Sequence, residues 1–283
     1  MLSILHISDL HFGPPYVPRV GEALLEIAPL LEPDVIVASG DFTQRAKRSQ
    51  FEDARRFLDS LPDVPMVVVP GNHDVALYRV LERFGRPFDL YREHLQPQLD
   101  GVLQLDGAVI LWLNSTSPRR SVSNGRIHVD QLAFCEEHLR DVPPEIVKIV
   151  VAHHHFLPAP DFEHDQTMPK ARRALDVLVG LGVDVILGGH LHRAYIGNSL
   201  DAYAGADREH GTIIVQCGTS TSRRGRGRER EKNSFNLLKT EGDLVHVTHY
   251  LHFDDLGRFA PVSRHTFPRP GRGTLEHVDR TSS

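Results

Sequence analysis

Apolar positions along the chain alternate between two rhythms. Short runs rich in β-branched residues occupy residues 2–8, 34–39, 64–70, 109–113, 146–152 and 183–187, and such runs read as buried strands. Between them apolar residues recur at helical spacing: Val20, Leu24, Ile27, Leu30 and Leu31, closed by Pro33, then Phe51, Ala54, Phe57, Leu58 and Leu61. Ser49 is a candidate N-cap for the second of these helices, with Glu52 completing a capping box. Further helices are predicted over residues 129–142 and 169–181, the last with Pro169 suited to its first turn. After residue 210 the helical period stops and strands follow one another directly, at residues 212–217, 234–238 and 244–250. Strand–helix alternation followed by consecutive strands predicts an α/β protein whose sheet is mixed, or which packs a second sheet against the first. Residues 75–100 mix Tyr78, Phe84, Phe88 and Tyr91 with charged residues, Gly85 and Pro87, too irregularly to assign.

The chain has 283 residues, 40% of them hydrophobic, which is enough for one large core. A single domain is expected over residues 1–253. Residues 254–283, with Pro261, Pro268, Pro270, Gly271 and Gly273, form a Pro/Gly/Arg-rich tail, either disordered or laid along its own or a neighbouring subunit. A net charge of -5 gives no global footprint for nucleic acid or an anionic membrane. Two cysteines make no disulfide framework, no run of 18 apolar residues occurs, and no basic region followed by an apolar one precedes the first strand. A soluble, cytoplasmic protein is expected.

What changes the picture is how the apolar runs end. They open into Asp9-Leu10-His11, Gly40-Asp41, Gly71-Asn72-His73-Asp74, His153-His154-His155 and Gly189-His190-Leu191-His192. Gly-Asn alone is ordinary turn chemistry. Five strand ends delivering carboxylate, imidazole and amide are a donor set for Mn, Fe or Zn, and seven such groups are too many for one ion. Two metals are implied. A spacing of two on extended backbone also aims both side chains of Asp9-x-His11 and of His190-x-His192 the same way.

This order of motifs resembles the calcineurin-like metallophosphoesterase superfamily over roughly residues 1–200, with the strands to about residue 250 compatible. The resemblance implies a four-layer α/β/β/α sandwich of two mixed β-sheets flanked by helices. It further implies that Asp9, His11 and His192 hold one metal, that Asn72, His190 and one histidine of the cluster hold the other, and that Asp41 bridges them. The family's motif register puts the cluster ligand at His154, with His155 towards the substrate. His73 is expected on the leaving-group or a phosphoryl oxygen, oriented by Asp74 or another nearby carboxylate. Two Mn, Fe or Zn ions about 3.5–4 Å apart would lower the pKa of a shared water, and the resulting hydroxide would attack phosphorus.

Departures narrow the choice. Gly40-Asp41-Phe42-Thr43-Gln44-Arg45 and Asp74 are unlike the GDxVDRG and GNHE of protein phosphatases, and His73 stands where lipid A pathway hydrolases typically carry Arg. The pattern is closest to bacterial class III cyclic nucleotide phosphodiesterases, which implies a small phosphodiester substrate. The alternatives are a DNA repair nuclease of the SbcD type, whose larger capping region has little room here, and a non-catalytic metal-bound scaffold, against which the intact ligand set speaks. Nucleic acid is not favoured as a partner, no membrane is expected, and a homodimer could use the region beyond residue 210.

Other features read as bland. The run Arg223 to Arg230 could be a phosphate patch, but interleaved Glu229 and Glu231 favour a solvated loop. His6, His94, His128, His138, His210, His246, His249 and His252 fall outside any motif. His164 lies in an acidic loop with Asp161, Glu163 and Asp165.

Overall fold

A computed structural model describes the chain except for Tyr78 and residues 120–124, 160–165, 203–210 and 272–283, so the loop around His164, and His210, lie outside the described residues. In chain order the elements are β1 (Leu2–Ile7), α1 (Pro18–Ile27), β2 (Val35–Ala38), α2 (Arg48–Asp59), β3 (Met66–Val68), α3 (Val80–Gly85), α4 (Asp89–His94), β4 (Gly101–Leu105), β5 (Ala108–Leu113), α5 (Val129–Leu139), β6 (Val147–Ala152), α6 (Ala171–Gly180), β7 (Val185–Gly188), β8 (Tyr195–Asn198), α7 (Ser199–Ala202), β9 (Ile213–Gln216), β10 (Ser234–Glu241), β11 (Leu244–Phe253) and β12 (Arg258–Pro268).

The central strands are continuous apolar runs because each face feeds a different core. Ile4, Val35, Val37, Val67 and Val69 meet Ile110, Ile149, Val151, Leu187 and Val215 between two sheets. Their neighbours Leu5, Ile7, Ile36 and Ala38 turn outward and pack with Val20 and Leu24 of α1 and Phe51, Ala54 and Leu58 of α2. On the far side, Leu111, Val150 and Ile186 pack with Leu132, Cys135, Ala174 and Leu178 of α5 and α6. The molecule is a four-layer α/β/β/α sandwich. The sheets run β12-β11-β10-β1-β2-β3 and β4-β5-β6-β7-β9-β8, and both are mixed.

Strands β1, β2 and β3 are parallel, as are β5, β6, β7 and β9. In open parallel sheets the carboxyl ends of the strands are where side chains from distant loops can meet. That topology is what allows Asp9, Asp41, Asn72, His153 and His190 to share one place.

Residues 75–100 fold into α3 and α4, and β4 follows them. Three strands escape the apolar pattern. β4 pairs with β5 across the Asp106-Gly107 turn, where Gly107 has φ +77. β8 is an edge strand. β12 is mostly exposed and pairs with β11 across a register shift near Pro261, the kind of place where a strand tolerates proline. Much of the segment expected to be a tail is thus laid along its own subunit. Arg269 secures its end, bonding both carboxylate oxygens of Asp184 at 3.2 and 3.1 Å and the carbonyls of Pro144, Glu145 and Ile146. At α2, Lys47 rather than Ser49 occupies the cap, and Gln50 Oε1 accepts the Arg45 N–H at 2.9 Å, tying the helix to the loop that carries Asp41. Among the described residues no helix is long and apolar enough to cross a membrane.

Candidate metal centre

Asp9, His11, Asp41, His190 and His192 all have positive φ, between +51 and +73. Left-handed backbone at a non-glycine residue costs about 1–3 kcal/mol and persists only where the surroundings impose it. Here neighbouring loops impose it on one another. Asp9 N donates to Gly40 O and His11 N to Asp41 O, both at 2.9 Å, while Gly189 N donates to His153 O and Arg226 N to His192 O, both at 3.0 Å. Gly40 has φ +103, and a Cβ there would lie 2.5 Å from His153 Nδ1. Close approach of the β2 and β6 loops therefore requires glycine at that position.

One half of the centre is tightly converged. Asp9, His11, Asp41 and His192 are buried and offer ligand atoms that all lie within 4.8 Å of one another. His192 Nδ1 donates to Arg224 O at 3.0 Å, which leaves the Nε2 lone pair facing inward, 3.1 Å from Asp9 Oδ1 and 3.1 Å from His11 Nε2. Asp9 Oδ2 is held by Ser8 Oγ at 2.7 Å and His190 N at 3.0 Å, but Asp9 Oδ1 and Asp41 Oδ2 have no hydrogen-bond partner among the described residues. Buried carboxylate oxygens left open beside inward lone pairs need a cation.

Asp41 faces both ways. Its Oδ2 is 3.6 Å from His11 Nε2 and its Oδ1 is 3.5 Å from His153 Nε2. Asn72 Oδ1 and His190 Nδ1 meet at 2.9 Å on the second side, and the His153 and His190 rings are 5.2 Å apart. The motif register pointed to His154 for this half, but the geometry brings His153 to Asp41. Strand parity explains why. Val151 faces the inter-sheet core, so His153, two residues on, faces the same way, towards Ser39 O at 2.7 Å and Asp41. His154 Nδ1 meets Ser115 Oγ at 2.8 Å and its ring lies 4.6 Å from His190, so it too leaves a buried Nε2 without a hydrogen-bond partner among the described residues, but of the two only His153 is paired with Asp41. His155 is buried and stacks on His190 at 5.7 Å.

The electrostatics match this division. Burial opposes ionisation of Asp9 and Asp41, yet nearby histidines outweigh it and hold both pKa values well below the usual carboxylate range. Burial pushes His11 down to about 4, while His153, also desolvated, is carried up to about 9 by the Asp41 charge. His154 and His190 are driven well below the ordinary histidine value, chiefly by burial.

A family model described as calcineurin-like phosphoesterase matches residues 2–194. The chain belongs to that family. It is 28% identical over 218 residues to a protein named "probable cyclic nucleotide phosphodiesterase" from Synechococcus sp., covering 72% of this chain and 79% of that one. Over 168 residues, 57% of this chain and 58% of the relative, it is 27% identical to a "probable glycerophosphodiester phosphodiesterase GpdQ" from Arcobacter nitrofigilis. The fold is also that of a purple acid phosphatase from yellow lupin, with TM-score 0.71, 14% identity, 95% of this chain covered and 54% of the other.

Beside the candidate metal-ligand cluster of this calcineurin-like phosphoesterase lie His73 and Asp74 of the third motif, and two threonines that the motifs did not reveal. His73 stands 4.9 Å from the His11 ring, but Asp74 does not orient it. His73 Nδ1 donates to Gln44 O at 3.0 Å, and its Nε2 accepts from Arg224 Nη1 at 3.0 Å. Asp74 instead accepts from Gly71 N at 2.9 Å, Phe42 N at 3.2 Å, Thr43 N at 2.9 Å and Thr43 Oγ1 at 3.1 Å, stapling the β2 and β3 loops together. Its burial and the Asp41 charge raise its pKa to about 7. Thr219 and Thr221 hold the Asp9 loop from below, through Asp9 O at 2.7 Å and Leu10 O at 3.0 Å. The signal for them was present in Gly218-Thr219-Ser220-Thr221-Ser222, a run of small hydroxyls directly after an apolar strand.

Proposed function

We propose that the chain is a phosphodiesterase that works with two metal ions and hydrolyses small phosphodiesters, cyclic nucleotides among them. The observation that carries this reading is the Asp41 carboxylate, with one oxygen towards His11 and the other towards His153. The donor set fits the ions, since unpartnered buried oxygens and ring nitrogens at Asp9, Asp41 and His153 all belong to it. Asp9, His11 and His192 would hold one ion, Asn72, His153 and His190 the other, with Asp41 shared. Bound there, the pair supplies Lewis acidity, activating water and polarising the phosphoryl group.

The remaining work falls to side chains. His73 donates through Nδ1 to Gln44 O and accepts at Nε2 from Arg224 Nη1, so for Nε2 to donate to a phosphoryl or leaving-group oxygen it would have to take up a proton and exchange that arginine bond. Phe12, Thr43 and the backbone bonds around them keep the Asp9 and Asp41 loops in fixed register, so little reorganisation accompanies binding. The names of the Synechococcus and Arcobacter relatives support a diester, and they leave cyclic nucleotides and glycerophosphodiesters as rival classes.

The test is hydrolysis of bis(p-nitrophenyl) phosphate by metal-depleted protein with and without Mn, followed by a panel of 3',5'- and 2',3'-cyclic nucleotides, glycerophosphodiesters and single-stranded DNA. Metal-dependent turnover with a preference for the small diesters is expected. Equal activity with and without metal, or a preference for DNA, would sink the reading.

A further inference from the structure

The Arg-rich run is not uniformly solvated. Arg223, Arg226 and Arg230 are exposed, whereas Arg224 is partly buried against the metal centre. Its Nη1 lies 3.0 Å from Gln44 Oε1 and 3.0 Å from His73 Nε2, and neither partner is a carboxylate. Among the described residues its Nε and Nη2 make no hydrogen bond. The carboxylates that act on its charge are Asp41 and Asp9, the same ones that a metal pair would claim. A half-buried guanidinium with no carboxylate partner in hydrogen-bond reach and an unused edge is an incomplete arrangement, and a planar fork is completed by two oxygens of one anion. Next to it opens a cavity of about 340 Å³ lined by Pro15, Gln44, Arg45, His73, Val75 and Leu77. That cavity holds two arginines, a carboxamide and an imidazole over an apolar wall.

We propose that Arg224 is a substrate-binding residue whose Nε–Nη2 edge takes two non-bridging oxygens of the phosphoryl group while Nη1 keeps His73 in place. The adjoining cavity receives the substituent carried on that phosphoryl group. This rests on the phosphoester reading above and adds the group that recognises the anion. It also explains why one arginine of the run is drawn inward. The backbone carbonyl of Arg224 holds the ligand His192 at 3.0 Å, so the same residue faces the metals through its main chain and the substrate through its side chain.

The test separates those two roles. Replacing the side chain spares the carbonyl, so Arg224→Ala should retain the wild-type metal content by elemental analysis. Calorimetry with inorganic phosphate on the metal-loaded protein should show affinity falling by about tenfold to a hundredfold, the range of a lost charged hydrogen-bond pair. KM for bis(p-nitrophenyl) phosphate should rise by a similar factor, with Arg224→Lys intermediate and Arg223→Ala within about twofold of wild type. Phosphate affinity within twofold of wild type in Arg224→Ala, or in Arg224→Met if the alanine variant does not fold, overturns the proposal. If the wild type hydrolyses no diester, the phosphodiesterase reading falls, and the phosphate calorimetry still decides the role of Arg224.

Discussion

The two sides of the metal centre are built differently. Around His11 the donor atoms of Asp9, Asp41 and His192 already converge, because those loops bond to each other through backbone groups. Around His190 the arrangement is side chain on side chain, with Asn72 Oδ1 on His190 Nδ1 and His153 paired with Asp41. The first side is preformed by the fold. Ring nitrogens also face each other on the first side, His11 Nε2 on His192 Nε2 at 3.1 Å, so what sets the second side apart is His153 with its raised pKa, and the second side's occupancy should be the more sensitive to pH.

Removing the shared group should erase the distinction. Asp41→Ala is expected to lower kcat/KM for an aryl phosphodiester by about a thousandfold or more, since it withdraws a carboxylate from both ions. Elemental analysis should find both sites depleted. Full retention of two metals by that variant would show that Asp41 is not shared.

The next largest effect sharpens the comparison within the second side. His153→Ala should cost about a hundredfold in activity and one equivalent of metal, with the Asp9 side still loaded. His154→Ala should keep both metals and lose less than about tenfold, because His154 faces Ser115. The reverse ranking would restore the motif register and refute the parity argument.

Acidity should separate the two sides further. His153 carries a proton up to about pH 9, stabilised by Asp41 despite burial, whereas buried His11 is already neutral above about pH 4. An ion entering the second side must displace the His153 proton, so its affinity should fall by about tenfold for each pH unit below 9. Between pH 5 and 8 His11 has no proton to lose, so its contribution to first-side affinity should vary far less than that of His153 to the second. Stepwise Mn calorimetry across that range checks this, and parallel slopes for both steps would contradict it. The stability of the metal-free protein carries the matching sign. The raised His153 pKa contributes stability below the ordinary value of 6.5, and this is lost as pH rises through 9.

Most of this centre could be read from the chain because strand ends are easy to see. An apolar run that stops at Asp9, Asp41, Asn72 or His190 marks both the element and the candidate residue, and spacing of two carries the direction. The parity rule applied from Val151 points to His153 where the motif register points to His154, because three consecutive histidines offer a donor in every direction. Arg224 was hidden for another reason. Its loop has no period, and composition alone cannot tell an inward arginine from three exposed ones. β12 escaped because an edge strand with only one partner need not be apolar, and Arg258 to Pro268 looks like linker until β11 pairs with it.

The smallest expected effect tests whether the first side is truly preformed. Thr219 Oγ1 donates to the carbonyl of Asp9 at 2.7 Å, and Thr219 is fully buried. Valine keeps the shape but removes the donor, leaving the Asp9 carbonyl short of a partner. Such a loss costs about 1–3 kcal/mol, or roughly 2–5 °C in melting temperature at this chain length. If backbone bonds from Gly40 and Phe42 suffice to hold the loop, Thr219→Val should melt earlier, while its first-side Mn affinity drops by less than about tenfold and its second-side affinity stays unchanged. A large loss of first-side affinity would mean that the hydroxyl run after β9, and not the mutual bonding of the β1 and β2 loops, sets the left-handed backbone of Asp9. Convergence on that side would then depend on the second sheet as much as on the first.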